Sequence, residues 1–168
     1  INAEDLEVMN DSQIAETFSD VNGIIVPGGF GHRGVEGKIK AAEYARTHNL
    51  PYLGICLGMQ IAVIEMARHL LGIENANSTE FTKDCTPIIS LITEWEKDGK
   101  KEVRDENTGK GGTLRLGAYK SVLAPNSLAS KIYGGATEIF ERHRHRYEMD
   151  IKFEEALKEK GVIISGKS

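Results

Sequence analysis

Leu50-Pro51-Tyr52-Leu53-Gly54-Ile55-Cys56-Leu57-Gly58-Met59-Gln60 is the stretch that decides the fold. An apolar run ends in Gly-x-Cys-x-Gly, and a helical pattern follows at once. This spacing predicts a strand, a tight turn and a helix, with a reactive side chain at the apex. The serine version, Gly-x-Ser-x-Gly, works by the same geometry: the flanking glycines let the backbone pass close to itself while the nucleophile stands clear. Cys56 then falls at a helix N-terminus, where unpaired N–H groups and the helix dipole favour the reactive thiolate. The plainer alternative is an inert cysteine buried between strand and helix. The two glycines and the strand-to-helix switch favour the nucleophile.

The neighbouring stretches supply a setting. Residues 21–26 form a compact run of branched apolar residues closed by Pro27-Gly28-Gly29, which fits a buried strand. A glycine-rich loop, Gly28 to Gly34, follows. Residues 36–48 place Ile39, Ala42 and Ala45 on one helical face. Residues 50–55 make the second strand. Residues 57–71 make its helix, with an inward stripe of Ile61, Ile64, Ala67 and Leu71. Strand, helix, strand, helix in this order predicts an α/β fold with a parallel sheet. Two adjacent parallel strands deliver the Gly28-Gly29 loop and the Cys56 turn to one side of the sheet. A glycine loop can turn an N–H towards an oxyanion, and the N–H just after a nucleophile supplies a second donor. The chemistry deduced is acyl transfer through a thioester. A plain turn is the bland reading of Gly28-Gly29. A phosphate loop is weaker, because neither a Walker pattern nor Gly-x-Gly-x-x-Gly stands in its proper context.

The rest of the 168 residues bounds this reading. With 40% hydrophobic and 27% charged residues, the chain suits one soluble globular domain, 1–168. A net charge of -4 argues against a general nucleic-acid binder. No apolar run reaches the length of a membrane span and no secretory signal opens the chain, so no membrane partner is expected. Two cysteines, Cys56 and Cys85, make no disulfide framework, and a reducing, cytoplasmic location is expected. Cys85 is assigned no role. A helix is expected over 11–19, capped by Asp11 or Ser12. Residues 74–86 read as a polar connection, 88–93 as a strand and 94–112 as an exposed loop or hairpin tip. Residues 113–122 and 137–149 suit strands, 127–133 a short helix and 151–160 an amphipathic one. Residues 162–164 suit a core strand that stops just before the chain does, and the chain opens on Ile1. Both ends are therefore expected to be cut from something longer, with a natural processed terminus as the bland alternative.

A cysteine acyl-transfer site needs a base, commonly a histidine oriented by a carboxylate. The histidines are His32, His48, His69, His143 and His145. His48 and His69 stand towards helix C-termini, where capping is the better role. His32 lies in the glycine loop with no obvious orienting partner. In Glu141 to Glu148, strand periodicity puts Arg142, Arg144 and Arg146 on one face and His143 and His145 on the other. An arginine there could bind a carboxylate bidentately. The two histidines lack a third ligand in view, so no metal site is expected. A solvated, charged strand face is the plain alternative.

Taken together these stretches resemble the glutaminase domain of the CTP synthase family, class I (triad-type) glutamine amidotransferases. The likeness rests on Pro27-Gly28-Gly29-Phe30-Gly31, Arg33-Gly34-Val35-Glu36-Gly37, Leu53 to Gln60, Glu74 to Phe81, Gly111 to Gly117 and Glu141 to Glu148. It implies a flavodoxin-like three-layer α/β sandwich with a mostly parallel sheet, here incomplete. It implies Cys56 as nucleophile, with Gly29 and Leu57 offering oxyanion N–H groups. Glutamine would be held by Gly29, Leu57, Gly58, Met59, Gln60, Glu80 and Arg146, with Arg146 near the α-carboxylate. Arg33, Gly34 and Glu36 match a loop tied in the family to GTP activation and ammonia delivery. The full enzyme would make CTP from UTP, ATP and glutamine. A synthase domain on the same chain would use ATP and Mg, GTP would activate, and the assembly would be a homo-tetramer. The fragment itself would carry no cofactor.

The family's catalytic His-x-Glu segment lies downstream of the last matched residues, and its first strand and helix precede Ile1. None of the five histidines here occupies that motif. The chain is therefore expected to be an internal piece with little glutaminase activity of its own. Two other readings stand beside this one. The first is a binding or assembly module that keeps the fold without the triad. The second is an unrelated cysteine hydrolase whose base is His32 or another internal histidine.

Overall fold

The computed structural model describes residues 1–91, 94–97, 100–103 and 115–168, with backbone pairing alone for 94–97 and 100–103. Residues 111–114, part of the family-like Gly111 to Gly117 run, lie outside the described residues. The chain divides into two units, Ile1–Ser90 and Leu91–Ser168.

The first unit opens with two short helices, α1 (Ala3–Val8) and α2 (Asp11–Thr17). Asn2 caps α1 through the Glu4 N–H. Asn10 caps α2 in a reciprocal box with Gln13. The expected caps Asp11 and Ser12 are instead helical, because an Asn three residues before a Gln satisfies two orphan donors at once. Strand β1 (Ile24–Val26) and strand β2 (Tyr52–Gly54) pair in parallel, Ile24 beside Tyr52 and Val26 beside Gly54. Between them runs α3 (Val35–Thr47), and after β2 comes α4 (Leu57–His69). The core under β1 holds Leu6, Ile14, Phe18, Ile24, Val26, Ala41 and Ala45. The inward stripe of α4 is as expected at Ile61, Ile64 and Ala67, each fully buried; Leu71 lies past the helix end and is half-buried.

The polar connection over 74–86 contains an unexpected strand, β3 (Ala76–Ser78), paired in parallel with β4 (Thr86–Leu91). Asn and Ser are poor strand formers, which hid it. Its Ala76 and Ser78 are fully buried, so packing and not propensity decides this element.

One buried charge ties α3 to α4. Glu65 has 2% of its side chain exposed and accepts from Arg46 Nε and a second guanidinium nitrogen at 2.7–3.0 Å. His69 Nδ1 lies 3.0 Å from the same carboxylate.

The second unit holds a backbone hairpin, β5 (Glu94–Lys97) with β6 (Lys100–Val103), in the region expected to be a loop or hairpin tip. Strand β7 (Arg115–Leu123) pairs antiparallel with β8 (Glu138–His145) along its length, from Arg115 beside His145 to Val122 beside Glu138. Helix α5 (Leu128–Ile132) joins them, capped by Ser127. Strand β9 (Tyr147–Met149), a 3-10 turn at Ile151–Phe153 and α6 (Glu154–Glu159) follow. The strand expected over 162–164 is absent. The Val162 N–H is spent closing α6 on the Leu157 carbonyl, and pairing with β7 begins later, at β10 (Gly166–Lys167).

Arg46→Ala leaves the Glu65 carboxylate buried without its guanidinium partner, with His69 still beside it. The expected loss is about 2 kcal/mol of stability, read by chemical denaturation; the double change to Leu at both positions is expected to lose less.

Candidate active site

The turn between β2 and α4 is built by backbone crowding. The Ile55 N–H donates to the Val26 carbonyl at 3.0 Å, which carries the parallel ladder one residue past β2. Cys56 then takes φ 54° and ψ -105°, a conformation few L-residues adopt. Its carbonyl starts the helix by accepting from the Met59 and Gln60 N–H groups. A Cβ on Gly58 would lie 2.1 Å from the Val26 carbonyl oxygen, and one on Gly54 would lie 2.5 Å from the Gly58 carbonyl. Both glycines are thus demanded by close approach of helix to strand. Tyr52, read from sequence only as a strand residue, donates its hydroxyl to the Gly58 carbonyl at 2.8 Å. Burial pushes its phenol far up, with Glu65 adding to the effect, so it remains a donor.

The Gly28-Gly29 turn faces this apex. A Cβ on Gly28 would sit 3.5 Å from the Cys56 Cβ, and one on Gly29 would sit 3.2 Å from a Leu57 methyl. Leu57 is the first helical residue, whose N–H has no acceptor within the helix. Cys56 is half-buried, neither sealed in the core nor on the far side of the sheet from the turn. Of the motif residues after it, Gly58 and Gln60 are buried, whereas Met59 is exposed.

Glu80 reaches the same loop. Its Oε1 accepts from the Gly31 N–H at 2.9 Å. The turn that carries it is fixed by the buried Ser78, whose Oγ accepts from the Glu80 N–H. Gly34, at φ 66°, stands just before the first turn of α3. Arg33 pairs with Glu4 at 2.7 Å on the surface. Glu36 makes a two-pronged pair with Arg68 at 2.7 and 3.1 Å. Arg68 was not singled out from sequence; no local pattern marks it, since it acts through elements distant in the chain, whereas Ser78 lies inside the family-like Glu74 to Phe81 stretch and acts on Glu80 two residues on.

The histidines are less obliging. His48 is held by Thr47 and the Tyr44 carbonyl and stacks on the Tyr44 ring. His69 has two carboxylates, Glu65 and Glu43, within 3.5 Å. It stands at the opposite end of α4 from Cys56, about 20 Å away at 1.5 Å per residue. His32 is exposed and, among the described residues, has no carboxylate at ion-pair distance.

In the second unit, Arg146 is exposed between β8 and β9. His143 and His145 share a strand face as expected, and their rings hydrogen-bond at 2.8 Å. Burial lowers both of their proton affinities. His145 and Arg115 push His143 further down, against Glu148 and Glu141; Arg115 does the same to His145, against Glu148. Cys85 donates its thiol to the Thr82 carbonyl, and burial raises its pKa, which suits an inert group. A separate cleft of about 320 Å³ beside β1, lined by Leu6, Phe18 and Ile24 among others, is apolar except for Lys38 and holds no nucleophile.

Residues 3–168 match the family described as Glutamine amidotransferase class-I. CTP synthases of Rhodopseudomonas palustris and Agrobacterium fabrum are each 52% identical to this chain over 162 residues, 96% of it and 30% of theirs. The chain thus spans about 30% of the length of the curated relatives it matches. Among solved structures, the glutaminase domain of Trypanosoma brucei CTPS with bound acivicin superimposes with a TM-score of 0.83 at 37% identity. That match covers 99% of this chain and 60% of the other. The α/β fold with parallel sheet portions is therefore the class I amidotransferase fold.

Two outcomes follow from this geometry. Glycine tolerates the φ of residue 56, so Cys56→Gly is expected to be more stable than Cys56→Ala by about 1 kcal/mol, read by denaturant midpoint. His143 and His145 are held neutral in the folded chain and titrate normally when unfolded. The stability they contribute is present above about pH 6.5 and is lost as pH falls through their lower folded values. Replacing both with Phe is expected to flatten the fall in melting temperature between about pH 7 and about pH 5.

Proposed function

The chain belongs to the class I glutamine amidotransferase family, and from that membership we propose that it is the glutamine-hydrolysing part of a longer, CTP-forming ligase. The observation that carries this reading is Cys56, raised on a strained turn at the start of α4 with the Gly28-Gly29 turn against it. In the proposed reaction the Cys56 thiolate attacks the carboxamide carbon of L-glutamine. The carbonyl oxygen becomes an oxyanion that the N–H groups of Gly29 and Leu57 stabilise. Collapse breaks the C–N bond, ammonia leaves with a proton from the general acid, and a γ-glutamyl thioester remains. Water then cleaves the thioester to glutamate and returns the thiol.

Gly58, Met59, Gln60 and Glu80 are the proposed glutamine-binding positions beside the nucleophile. Arg146, in the second unit, is the proposed partner of the α-carboxylate, since a guanidinium matches a carboxylate with two parallel bonds. The proton-transfer group is assigned to a His-x-Glu pair outside residues 1–168. Support comes from the internal histidines: His69 is a helix length from the thiol, and among the described residues His32 has no carboxylate at ion-pair distance. On the same reading Arg33, Gly34 and Glu36 answer to GTP and ammonia delivery. A synthase domain on the same polypeptide uses ATP and Mg to activate UTP, and the full enzyme is a cytoplasmic homo-tetramer. Among the described residues no helix is long and apolar enough to cross a membrane.

In the full-length protein, Cys56→Ala is expected to lower glutamine-driven ammonia release by at least about a thousandfold. The polypeptide 1–168 alone is expected to release almost none. Steady release by that polypeptide, abolished by Cys56→Ala, would overturn the assignment of the base to a segment outside it.

A further inference from the structure

Besides the surface pair of Arg33 with Glu4, the loop from Gly28 to Gly34 is held near its middle and just past its end, and one arginine bears on both of these contacts. Near its middle, the Gly31 N–H is held by Glu80. After its end, the first turn of α3 is held through Glu36. Arg68 lies near the end of α4 with 17% of its side chain exposed. Two of its guanidinium nitrogens bond the two Glu36 oxygens, and its Nε donates to the Ala76 carbonyl at 2.9 Å. Ala76 is the first residue of β3 and is fully buried. Four residues on, after the Ser78 turn, comes Glu80 itself. One planar cation therefore sets the distance between the strand that aims Glu80 and the helix that ends the loop. Its three bonds fix orientation as well as distance, which a lysine cannot do.

We propose that Arg68 is a positioning residue for the glutamine pocket: it holds Glu80 and the Gly28–Gly34 loop in register with Cys56 and touches neither substrate nor the reacting atoms. The proposal rests on the amidotransferase reading and extends it to a residue outside the motifs. Without Arg68 the direct tie between β3 and α3 is lost, and the Gly31–Glu80 bond loses that part of its frame, while β3 keeps its pairing with β4 and α3 its tie through Arg46. The Cys56 turn, set by Val26, Gly54, Gly58 and Tyr52, stays as it was. Recognition of glutamine suffers while the thiol does not.

The test uses the full-length protein and two electrophiles. Iodoacetamide reads the thiol alone; a glutamine analogue with a chloromethyl ketone in place of the carboxamide reads thiol and pocket together. Arg68→Ala is expected to slow alkylation of Cys56 by the chloroketone about tenfold and to raise KM for glutamine similarly. Its iodoacetamide rate is expected to stay within about twofold. Arg68→Lys and Glu36→Gln, which keep the core filled, are expected to fall between. Arg46→Ala, which breaks another α3–α4 ion pair, is expected to lower the melting temperature and leave the ratio of the two rates alone. A ratio unchanged in Arg68→Ala and Arg68→Lys overturns the proposal. So does a ratio that shifts equally in Arg46→Ala. Failure of the unsubstituted protein to react with the chloroketone, while iodoacetamide labels Cys56, overturns the amidotransferase reading and this proposal with it.

Discussion

The approach of α4 to the end of β1 is the constraint on which the site depends. Two residues separate β2 from α4, and the first turn of the helix lies against the neighbouring strand, backbone on backbone. Gly58 meets the Val26 carbonyl where any side chain would collide, and Gly54 meets Gly58. The chain cannot turn so tightly in ordinary conformations, so Cys56 takes the strained one. The cost, on the order of 1–3 kcal/mol, falls on the residue proposed as the nucleophile. Helix hydrogen bonds, the Ile61–Ile64–Ala67 stripe and the Tyr52 hydroxyl oppose it.

Much of this was legible because it is local. The two strands and the helices between and after them follow from period and punctuation, and the glycines around Cys56 announce a sharp turn. Sequence suggested that the glycines let the backbone pass close to itself; it did not say against what, which is the Gly58 carbonyl for Gly54 and the distant Val26 carbonyl for Gly58. β3 was not legible, since Ala-Asn-Ser has no strand preference and is held by burial. The strand expected over 162–164 failed for the opposite reason. Its residues are strand-like, but the Val162 N–H had already been claimed by the end of α6. Asn10 was overlooked as a cap because the acidic Asp11 and Ser12 beside it look equally suitable until the Gln13 side chain is considered.

The charged residues divide along the same line. A motif can say that Glu80 belongs near a substrate, but not that its carboxylate first meets the Gly31 N–H. That contact joins residues 49 apart. Glu65 and Arg68 lie three apart on α4 and carry opposite charge, which in sequence reads as a surface pair along one helix. In the fold each turns instead to α3, Glu65 to Arg46 and Arg68 to Glu36. Helix α4 is thus clamped to α3 near both ends of α3, once by a buried carboxylate and once by a nearly buried guanidinium.

Those clamps explain how so small a parallel pairing can place chemistry. β1 and β2 share only three paired positions, and three residues do not fix a loop to a fraction of an ångström. What they fix is direction: in a parallel pair both strands end on the same side, so the Gly28-Gly29 turn and the Cys56 turn must emerge together. Distance is then set by contacts that converge on the loops. These are glycine against carbonyl at the apex, Glu80 on Gly31, and the α3–α4 ion pairs behind. Direction comes from the sheet and distance from the clamps. On the proposed reading, loosening the Arg68 clamp therefore alters recognition before it alters the fold, whereas loosening the Arg46–Glu65 clamp costs stability first.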